Sequence, residues 1–338
     1  MKVELLNQSL YSMYTGFLAN SSEAMFYHSL KYKQFLENLL SCSCEYYLAI
    51  SSEGIEAALP LMRSKGPLGD VINSLPYYGS NGGLLGHNGN AKRLLIEKYN
   101  ELITSDSVAS STVVCNPLSN DDPVEINYNV EDLRIGQWTN ICSQSISNEL
   151  MDSFDSSTRR NIRKAIKSSI EVRVDNSCMD FLRSTHHKNM CEIGGLAKGD
   201  DFFEAIPRYF DAGTDYNIYV ACLDGEIIGA LLLFYFSDTV EYFTPAMLTK
   251  YRNLQALPLT IYKAMQDASA KGYRNWNWGG TWLTQEGVYK FKKKWAAEDR
   301  EYKYLCFINK MEILKETKER LLDGYPSFFV CPFQQLES

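Results

Sequence analysis

The segment that most constrains the fold is residues 275–298, which read NWNWGGTWLTQEGVYKFKKKWAAE. Trp276 and Trp278 alternate with two asparagines, and a period of two predicts a β-strand with one apolar face. Gly279 and Gly280 are expected to end that strand and to let the backbone come close to a ligand. A lysine-rich helix is expected next. Such a segment can hold a polar or anionic substrate, and it can equally be a core strand followed by a solvated helix.

The composition is that of a globular protein with room for two domains. Of the 338 residues, 45% are hydrophobic and 22% are charged, and each half is long enough to bury its own core. No apolar run is long enough to cross a membrane, and the N-terminus lacks the pattern of a signal peptide. We therefore expect a cytoplasmic protein without a transmembrane segment. The sequence leaves the oligomeric state open.

Charge and cysteine usage narrow the possible partners. The formal net charge of −7 disfavours broad binding of nucleic acid, so no DNA partner is expected. The nine cysteines fit free thiols in a reducing compartment. Cys42 and Cys44 have C-x-C spacing, but no second pair or histidine follows at a zinc-like distance. No metal is expected.

Hydrophobic periodicity predicts similar element orders in the two halves. For the first half it predicts a helix over 23–40 with Ser21 or Ser22 as its cap, a hairpin over 45–63, a helix over 90–105 and a strand over 111–115. For the second half it predicts helices over 156–168, 180–190 and 202–210, a three-strand meander over 217–243, a helix over 257–271 and then the tryptophan strand. A last helix is predicted over 310–322.

Three ordered motifs resemble the FemAB-like acyltransferases, which are enzymes of two tandem GNAT-type domains. Some members add amino acids to peptidoglycan precursors. The family pattern of a Gly-aromatic pair, a strand ending in glycine, a further glycine, Phe-Lys and an aromatic is similar to residues 272–295. The family's "LP-aromatic" loop ending in Gly-Gly is similar to residues 74–83, SLPYYGSNGG, and its "TRRNIRKA" helix start is similar to residues 158–165.

The resemblance implies a mixed α/β fold of two tandem GNAT-like domains with a cleft between them. The N-terminal domain would cover 1–150, joined by the C-terminal segment 306–338, and the catalytic domain would cover 151–305. The predicted element order of the second half is also that of a GNAT acyltransferase domain.

Acyl transfer to an amine needs alignment, a polarised carbonyl and proton transfer, and alignment alone can supply much of the rate. No recognised nucleophile motif is present, which favours direct attack. The resemblance implies that Lys292, after Phe291, faces the reacting acyl group. Glu286, in a glycine-flanked loop, and His186, on a predicted helix, are candidate bases, although either residue can instead be packed or solvated. Further acids that the sequence does not rank are Glu192, Asp201, Glu241 and Glu298.

Substrate contacts are predicted in three places. The glycine-rich loop offers backbone N–H groups and the side chains of Tyr77, Tyr78, Ser80, Asn81 and the adjoining Gly82. Three arginines near a helix N-terminus suit a pyrophosphate or, alternatively, surface salt bridges: Arg159, Arg160 and Arg163. The tryptophan segment offers Trp278, Gly279 and Trp282.

The loop that precedes the helix over 257–271 bears on the acyl donor. Asn253 lies where an ordinary GNAT enzyme has its glycine-rich pyrophosphate loop, and the missing glycines weaken the case for ordinary coenzyme A binding without excluding it. No long helical arm of the kind found in the tRNA-facing members is present, so acyl-CoA is favoured as the co-substrate.

These features predict an N-acyltransferase that acts on an amino sugar or similar amine of a nucleotide- or lipid-linked cell-envelope polysaccharide precursor. One alternative is an aminoacyl-tRNA-dependent aminoacyltransferase of peptidoglycan precursors. The other is a non-catalytic glycan-binding module.

Overall fold

The structure is a computed structural model that describes residues 1–77, 81–119, 125–141, 147–282 and 285–337. Its strands in chain order are β1 Lys2–Leu5, β2 Ser43–Ile50, β3 Ile55–Gly66, β4 Gly69–Asn73, β5 Leu85–Gly86, β6 Val108–Val114, β7 Val130–Asn140, β8 Glu171–Val174, β9 Tyr216–Leu223, β10 Glu226–Phe236, β11 Thr239–Met247, β12 Asn275–Thr281 and β13 Glu298–Ile308.

The α-helices are α1 Tyr11–Ala19, α2 Leu30–Leu40, α3 Gly89–Ile103, α4 Ser147–Ser153, α5 Ser156–Lys167, α6 Met179–Glu192, α7 Asp200–Tyr209, α8 Ala256–Ala270, α9 Glu286–Lys293 and α10 Lys318–Gly324. Short 3-10 helices cover Gln8–Leu10, Phe26–His28, Thr249–Leu254, Met311–Lys315 and Phe333–Gln335. None of the helices in the described ranges combines the length and the apolar character that a membrane span requires.

The chain divides into two compact units, one of residues 1–135 and 301–338 and one of residues 136–300. In the first unit the strand order is β1-β2-β3-β4-β6-β13, with β5 paired to β3. Only β4 and β6 are parallel among these pairs. Helix α3 packs on this sheet through its buried face, which includes Leu95, Tyr99 and Ile103.

In the second unit the strand order is β7-β12-β11-β10-β9-β8. The run from β8 to β11 is antiparallel, and β11 pairs with β12 in parallel. Ile162 and Ala165 of α5 pack with α8 and the tryptophans of β12 in one apolar core. The mixed α/β fold class predicted from the sequence is confirmed.

Two local predictions were wrong at the N-terminus of the chain. The helix predicted over 23–40 begins only at Leu30, since a 3-10 turn, Phe26–His28, precedes it, and the cap is Ser29, whose side chain accepts the N–H of Tyr32. The prediction failed because the buried aromatics of this turn imitate helical spacing. In the second unit, the strand predicted to end at Gly279 and Gly280 runs on to Thr281.

Candidate functional site

Strands β11 and β12 run in parallel but pair with each other only at their first residues. Their last strand pair is Glu241 with Asn277, although β11 continues to Met247 and β12 to Thr281. A gap therefore opens between the two strands toward their carboxyl ends, which we call the β11–β12 gap. Pro245 of β11 fits a gap-facing edge, because its nitrogen has no hydrogen to donate to a neighbouring strand.

A buried carboxylate lies where the two strands separate. Glu241 and Asn277 are each 1% exposed, and Asn277 Nδ2 donates to Glu241 Oε2 at 2.8 Å. Asn277 Oδ1 in turn accepts the N–H of Gly279 at 2.8 Å. The same amide thus orients the carboxylate and shapes β12 at Gly279, whose φ of 73° suits glycine.

The opposite face of β12 packs against apolar side chains. Trp276 and Trp278 pack against the ring of Tyr242 on β11, with centroids 6.2 and 5.0 Å away. Phe291 packs edge-on against Trp278 at 6.0 Å. Trp278 Nε1 donates to Thr139 Oγ1 at 2.9 Å. The predicted site residues Phe291 and Trp278 therefore build the wall behind β12.

Lys292 is brought to the end of β12. Its Nζ donates to Gly279 O at 3.0 Å, to Gly280 O at 3.1 Å and to Thr281 Oγ1 at 2.7 Å. The residue is 5% exposed, and this burial lowers the pKa of Lys292 to about 8. The lysine ties the end of the strand to α9, so in this structure its ammonium group is bound to the strand end. Its predicted catalytic role stays a prediction.

A second lysine lies on the Glu241 face of β11. Phe243 packs on Phe234 at 5.0 Å, and Phe234 lies directly opposite Glu241 in the β10–β11 pair, so Phe243 and Glu241 share a face. Lys198, in the loop between α6 and α7, has its Nζ 5.2 Å from the ring centroid of Phe243. Burial lowers the pKa of Lys198 to about 8.

His186 holds the backbone of Lys198. The N–H of Lys198 donates to His186 Nε2 at 3.2 Å, and the adjacent His187 has its Nε2 2.8 Å from Lys198 O. Burial, followed by the charge of Lys198 and by His187, lowers the pKa of His186 to about 4. His186 is therefore neutral near pH 7, and its accepting nitrogen is already engaged by the loop.

Helix α8 connects β11 to β12. It therefore begins beyond the carboxyl end of β11, at the open end of the gap. Gln255 precedes its first turn with a φ of 62°, and no side chain caps the helix. An uncapped first turn has free N–H groups, and the helix dipole favours an anion there. The predicted Asn253 is exposed in the 3-10 helix just before it, and the neighbouring Arg252 pairs with Glu192 at 3.1 Å.

The remaining predicted residues of this unit lie at its surface. Glu286 forms an ion pair with Lys290 at 2.7 Å, its side chain being 76% exposed. Trp282 is 37% exposed. Arg159 lies 3.7 Å from the carboxylate of Asp152, in the surface salt bridge that was its alternative, and it also donates to the backbone oxygen of Asp152 at 3.2 Å. The other two arginines, Arg160 and Arg163, are exposed on α5.

In the first unit, backbone groups of the glycine-rich loop bond to other segments of the unit. Tyr77 has a φ of 82° and donates its N–H to Ser327 O at 2.9 Å. Gly82 O accepts from the buried His28 at 2.9 Å. Asn81 is 3% exposed. The predicted Tyr78 and Ser80 lie outside the described residues.

Sequence reasoning missed the importance of the Glu241–Asn277 pair and of Lys198. A signal was present for the first, since Glu241 is an acid inside an otherwise apolar strand, and Asn277 alternates with two buried tryptophans. Such residues need a polar partner when they are buried. Nothing local marks Lys198, whose position depends on contacts with β11.

The comparisons with known proteins agree with this geometry. Residues 154–293 match the family described as Acetyltransferase (GNAT) domain. This part of the chain is a GNAT-type acetyltransferase domain. The match covers the gap, Glu241, Asn277 and Lys292, and it ends before β13. No curated protein sequence matches the chain.

Solved structures with little sequence identity share the fold. A structure of FemX is 13% identical, covers 90% of this chain and 97% of its own, and has a TM-score of 0.71. A tandem GNAT protein from the clavulanic acid biosynthesis pathway is 10% identical with a TM-score of 0.52, over 90% of this chain and 98% of its own. The C-terminal domain of a putative lysylphosphatidylglycerol synthetase from Agrobacterium fabrum is 10% identical with a TM-score of 0.51, over 91% and 93%. The predicted tandem GNAT fold is thereby confirmed, and FemX shares it.

Proposed function

We propose that this acyltransferase moves an acyl group from acyl-CoA to the amine of an amino sugar or a similar amine carried by a nucleotide- or lipid-linked cell-envelope precursor. The observation that supports the donor is the β11–β12 gap with the uncapped start of α8 at its open end. An extended thioester arm can pair with the free edge of β11 in such a gap, while the first-turn N–H groups bind its pyrophosphate. The GNAT domain match favours the same donor.

Glu241 is the proposed proton acceptor. An attacking amine must lose a proton, and a carboxylate fixed by Asn277 at the point of strand separation has a defined orientation toward the inner end of the gap. The backbone N–H groups on the free edge of β11 can polarise the acyl carbonyl. The leaving thiolate takes a proton, and no covalent enzyme intermediate is needed.

The donor is tested first, by thermal denaturation with acetyl-CoA, coenzyme A and UDP-linked amino sugars, each alone. A ligand that binds only the native state raises the melting temperature, so we expect a rise with the CoA species. Thiol release from acetyl-CoA in the presence of candidate amines then measures turnover.

Glu241→Gln should keep the rise with CoA while lowering kcat by about 100-fold, and Glu286→Gln, a change at an exposed carboxylate, should leave both unchanged. If no CoA species binds while a charged tRNA supports transfer, the aminoacyl-tRNA alternative replaces this one. Amino-sugar binding without turnover from either donor would favour the glycan-binding module.

A further inference from the structure

Two half-buried cysteines of the first unit lie beside a common sulfur neighbour. Cys42 Sγ is 3.9 Å from the thioether sulfur of Met62. Cys44 is directly opposite Met62 in the antiparallel pair of β2 and β3, and opposite side chains in such a pair are in contact range. Both thiols therefore adjoin one thioether, and they adjoin each other.

The two thiols differ in character because they interact. A hydrogen bond between them lowers the pKa of Cys42 and raises the pKa of Cys44. Burial and the charge of Glu37 raise the pKa of both thiols, whereas Lys33 of α2, whose Nζ is 3.0 Å from Glu37, lowers it. Cys42 is thus the better nucleophile, and Cys44 holds the proton.

The spacing of the two residues allows a bond between them. Disulfides span Cα distances of about 4.4–6.8 Å and Cβ distances of about 3.5–4.5 Å, whereas alternate residues of an extended strand are about 6.6 Å apart. Cys42 lies just before Ser43, the first residue of β2, so its backbone is not fixed by strand pairing as that of Cys44 is. A bond between the two sulfurs therefore requires the chain to bend at Cys42, and a strained disulfide is readily reduced. This favours a reversible bond over a permanent structural one.

The same chain contains a contrasting pair. Cys306 and Cys331 lie close enough for the charge of one to raise the pKa of the other, but they are 0% and 1% exposed. Burial raises the pKa of Cys306 to about 12 and that of Cys331 to about 11. Proximity alone therefore does not make a reactive pair here, whereas Cys42 and Cys44 also have solvent access.

We propose that Cys42 and Cys44 are a thiol–disulfide exchange site that reacts with small-molecule disulfides such as oxidised glutathione. The Cys42 thiolate attacks one sulfur of the glutathione disulfide, forms a mixed disulfide and releases one glutathione thiolate, which takes up a proton. Cys44 then loses its proton, attacks the Cys42 sulfur and releases the second glutathione. The two cysteines are oxidised by two electrons in total, and one glutathione disulfide is reduced to two thiols. This proposal is independent of the proposed acyl transfer.

The test uses the purified full chain in glutathione buffers of increasing oxidised fraction. After an acid quench, free thiols are alkylated, and peptide masses locate every cysteine. We expect Cys42 and Cys44 to lose alkylation together, in a peptide that is lighter by two hydrogens and carries no glutathione on either residue. In the native chain, Cys306 and Cys331 should not react with glutathione in any of these buffers.

Single variants separate the two roles. Cys44→Ser should trap one glutathione on Cys42, whereas Cys42→Ser should leave Cys44 alkylatable at the same buffer ratio. Cys191→Ser, at an exposed cysteine, is the matched control and should behave as the native chain. The proposal is overturned if both thiols of the native chain remain alkylatable in the most oxidising buffer, or if glutathione stays on them without the intrachain bond.

Discussion

Replacing Lys292 with methionine should lower the free energy of unfolding of the second unit by about 3 kcal/mol at pH 7. The ammonium donates three hydrogen bonds to oxygens at the end of β12, and bonds to a charged group contribute about 1.5–3 kcal/mol each, or about 6 in total. Burial opposes this, since lowering the pKa from 10.5 to about 8 corresponds to about 3.4 kcal/mol against the charged form. The difference is the expected net loss.

The pH dependence of this loss has a definite sign. The folded pKa of Lys292 is below the unfolded value, so between about pH 8 and 10.5 the unfolded chain holds the additional proton. Stability contributed by the lysine therefore rises with pH, by about 1.3 kcal/mol between pH 7 and pH 9. The variant lacks this rise, and its deficit should widen from about 3 to about 4 kcal/mol. Lys198 shifts in the same direction in both proteins, so its effect cancels.

Urea unfolding followed by tryptophan fluorescence measures this difference, because all five tryptophans lie in the second unit. Lys290→Met on the same helix is the control. Its partner Glu286 is an exposed (i, i+4) neighbour, so the expected loss is about 0.3–0.5 kcal/mol. A Lys292 variant no less stable than this control, or a deficit that narrows as the pH rises, would refute the reasoning.

Three further predictions concern the first unit. Burial lowers the pKa of His28 from 6.5 to about 4, so the free energy of unfolding of this unit should fall by about 3 kcal/mol as the pH drops through this window. In urea titrations, His28→Gln should remove this loss of stability at acid pH. Arg63 donates to the half-buried carboxylates of Glu45 and Asp70 at 2.6 and 2.8 Å. Arg63→Met should lower the free energy of unfolding by about 3 kcal/mol, because it leaves these two charges without their partner. The melting temperature should fall at pH 7 and recover in part on mild acidification. Gly82→Ala should cost about 1–3 kcal/mol in urea unfolding, because its Cβ would come 2.2 Å from a backbone oxygen; native stability in this variant would contradict that packing.

Much of the second unit's fold could be predicted from the sequence because its signals are local. The meander of β9, β10 and β11 follows from apolar runs broken at Asp224–Gly225 and Ser237–Asp238, and in the first break both residues adopt positive φ. The helix predicted over 156–168 is present as α5, capped by Asp155, whose side chain accepts the N–H of Ser157. Elements whose pattern is set by distant packing, such as α1 and β7, were missed.

The candidate site could be predicted only in part, since its chemistry depends on which strands are neighbours. Glu241 was one of several unranked acids until β12 placed Asn277 beside it, 36 residues later in the chain. Lys292 was selected through its family resemblance, but its three oxygen partners could not be inferred from a basic helix. The glycines of the tryptophan segment were expected to admit a ligand, and the structure uses their carbonyl groups to bind the lysine.

The β11–β12 gap is stabilised from both sides by side chains that take the place of a strand partner. On β11, Asn189 bonds both the N–H and the carbonyl of Met247 at 2.9 Å, so the far end of the free edge is satisfied by an amide from α6. On β12, Lys292 satisfies the carbonyl groups of Gly279 and Gly280. Unpaired buried backbone groups would otherwise favour closure of the two strands. Because these two residues satisfy the separated ends, an extended ligand can enter between the strands without breaking a strand–strand bond.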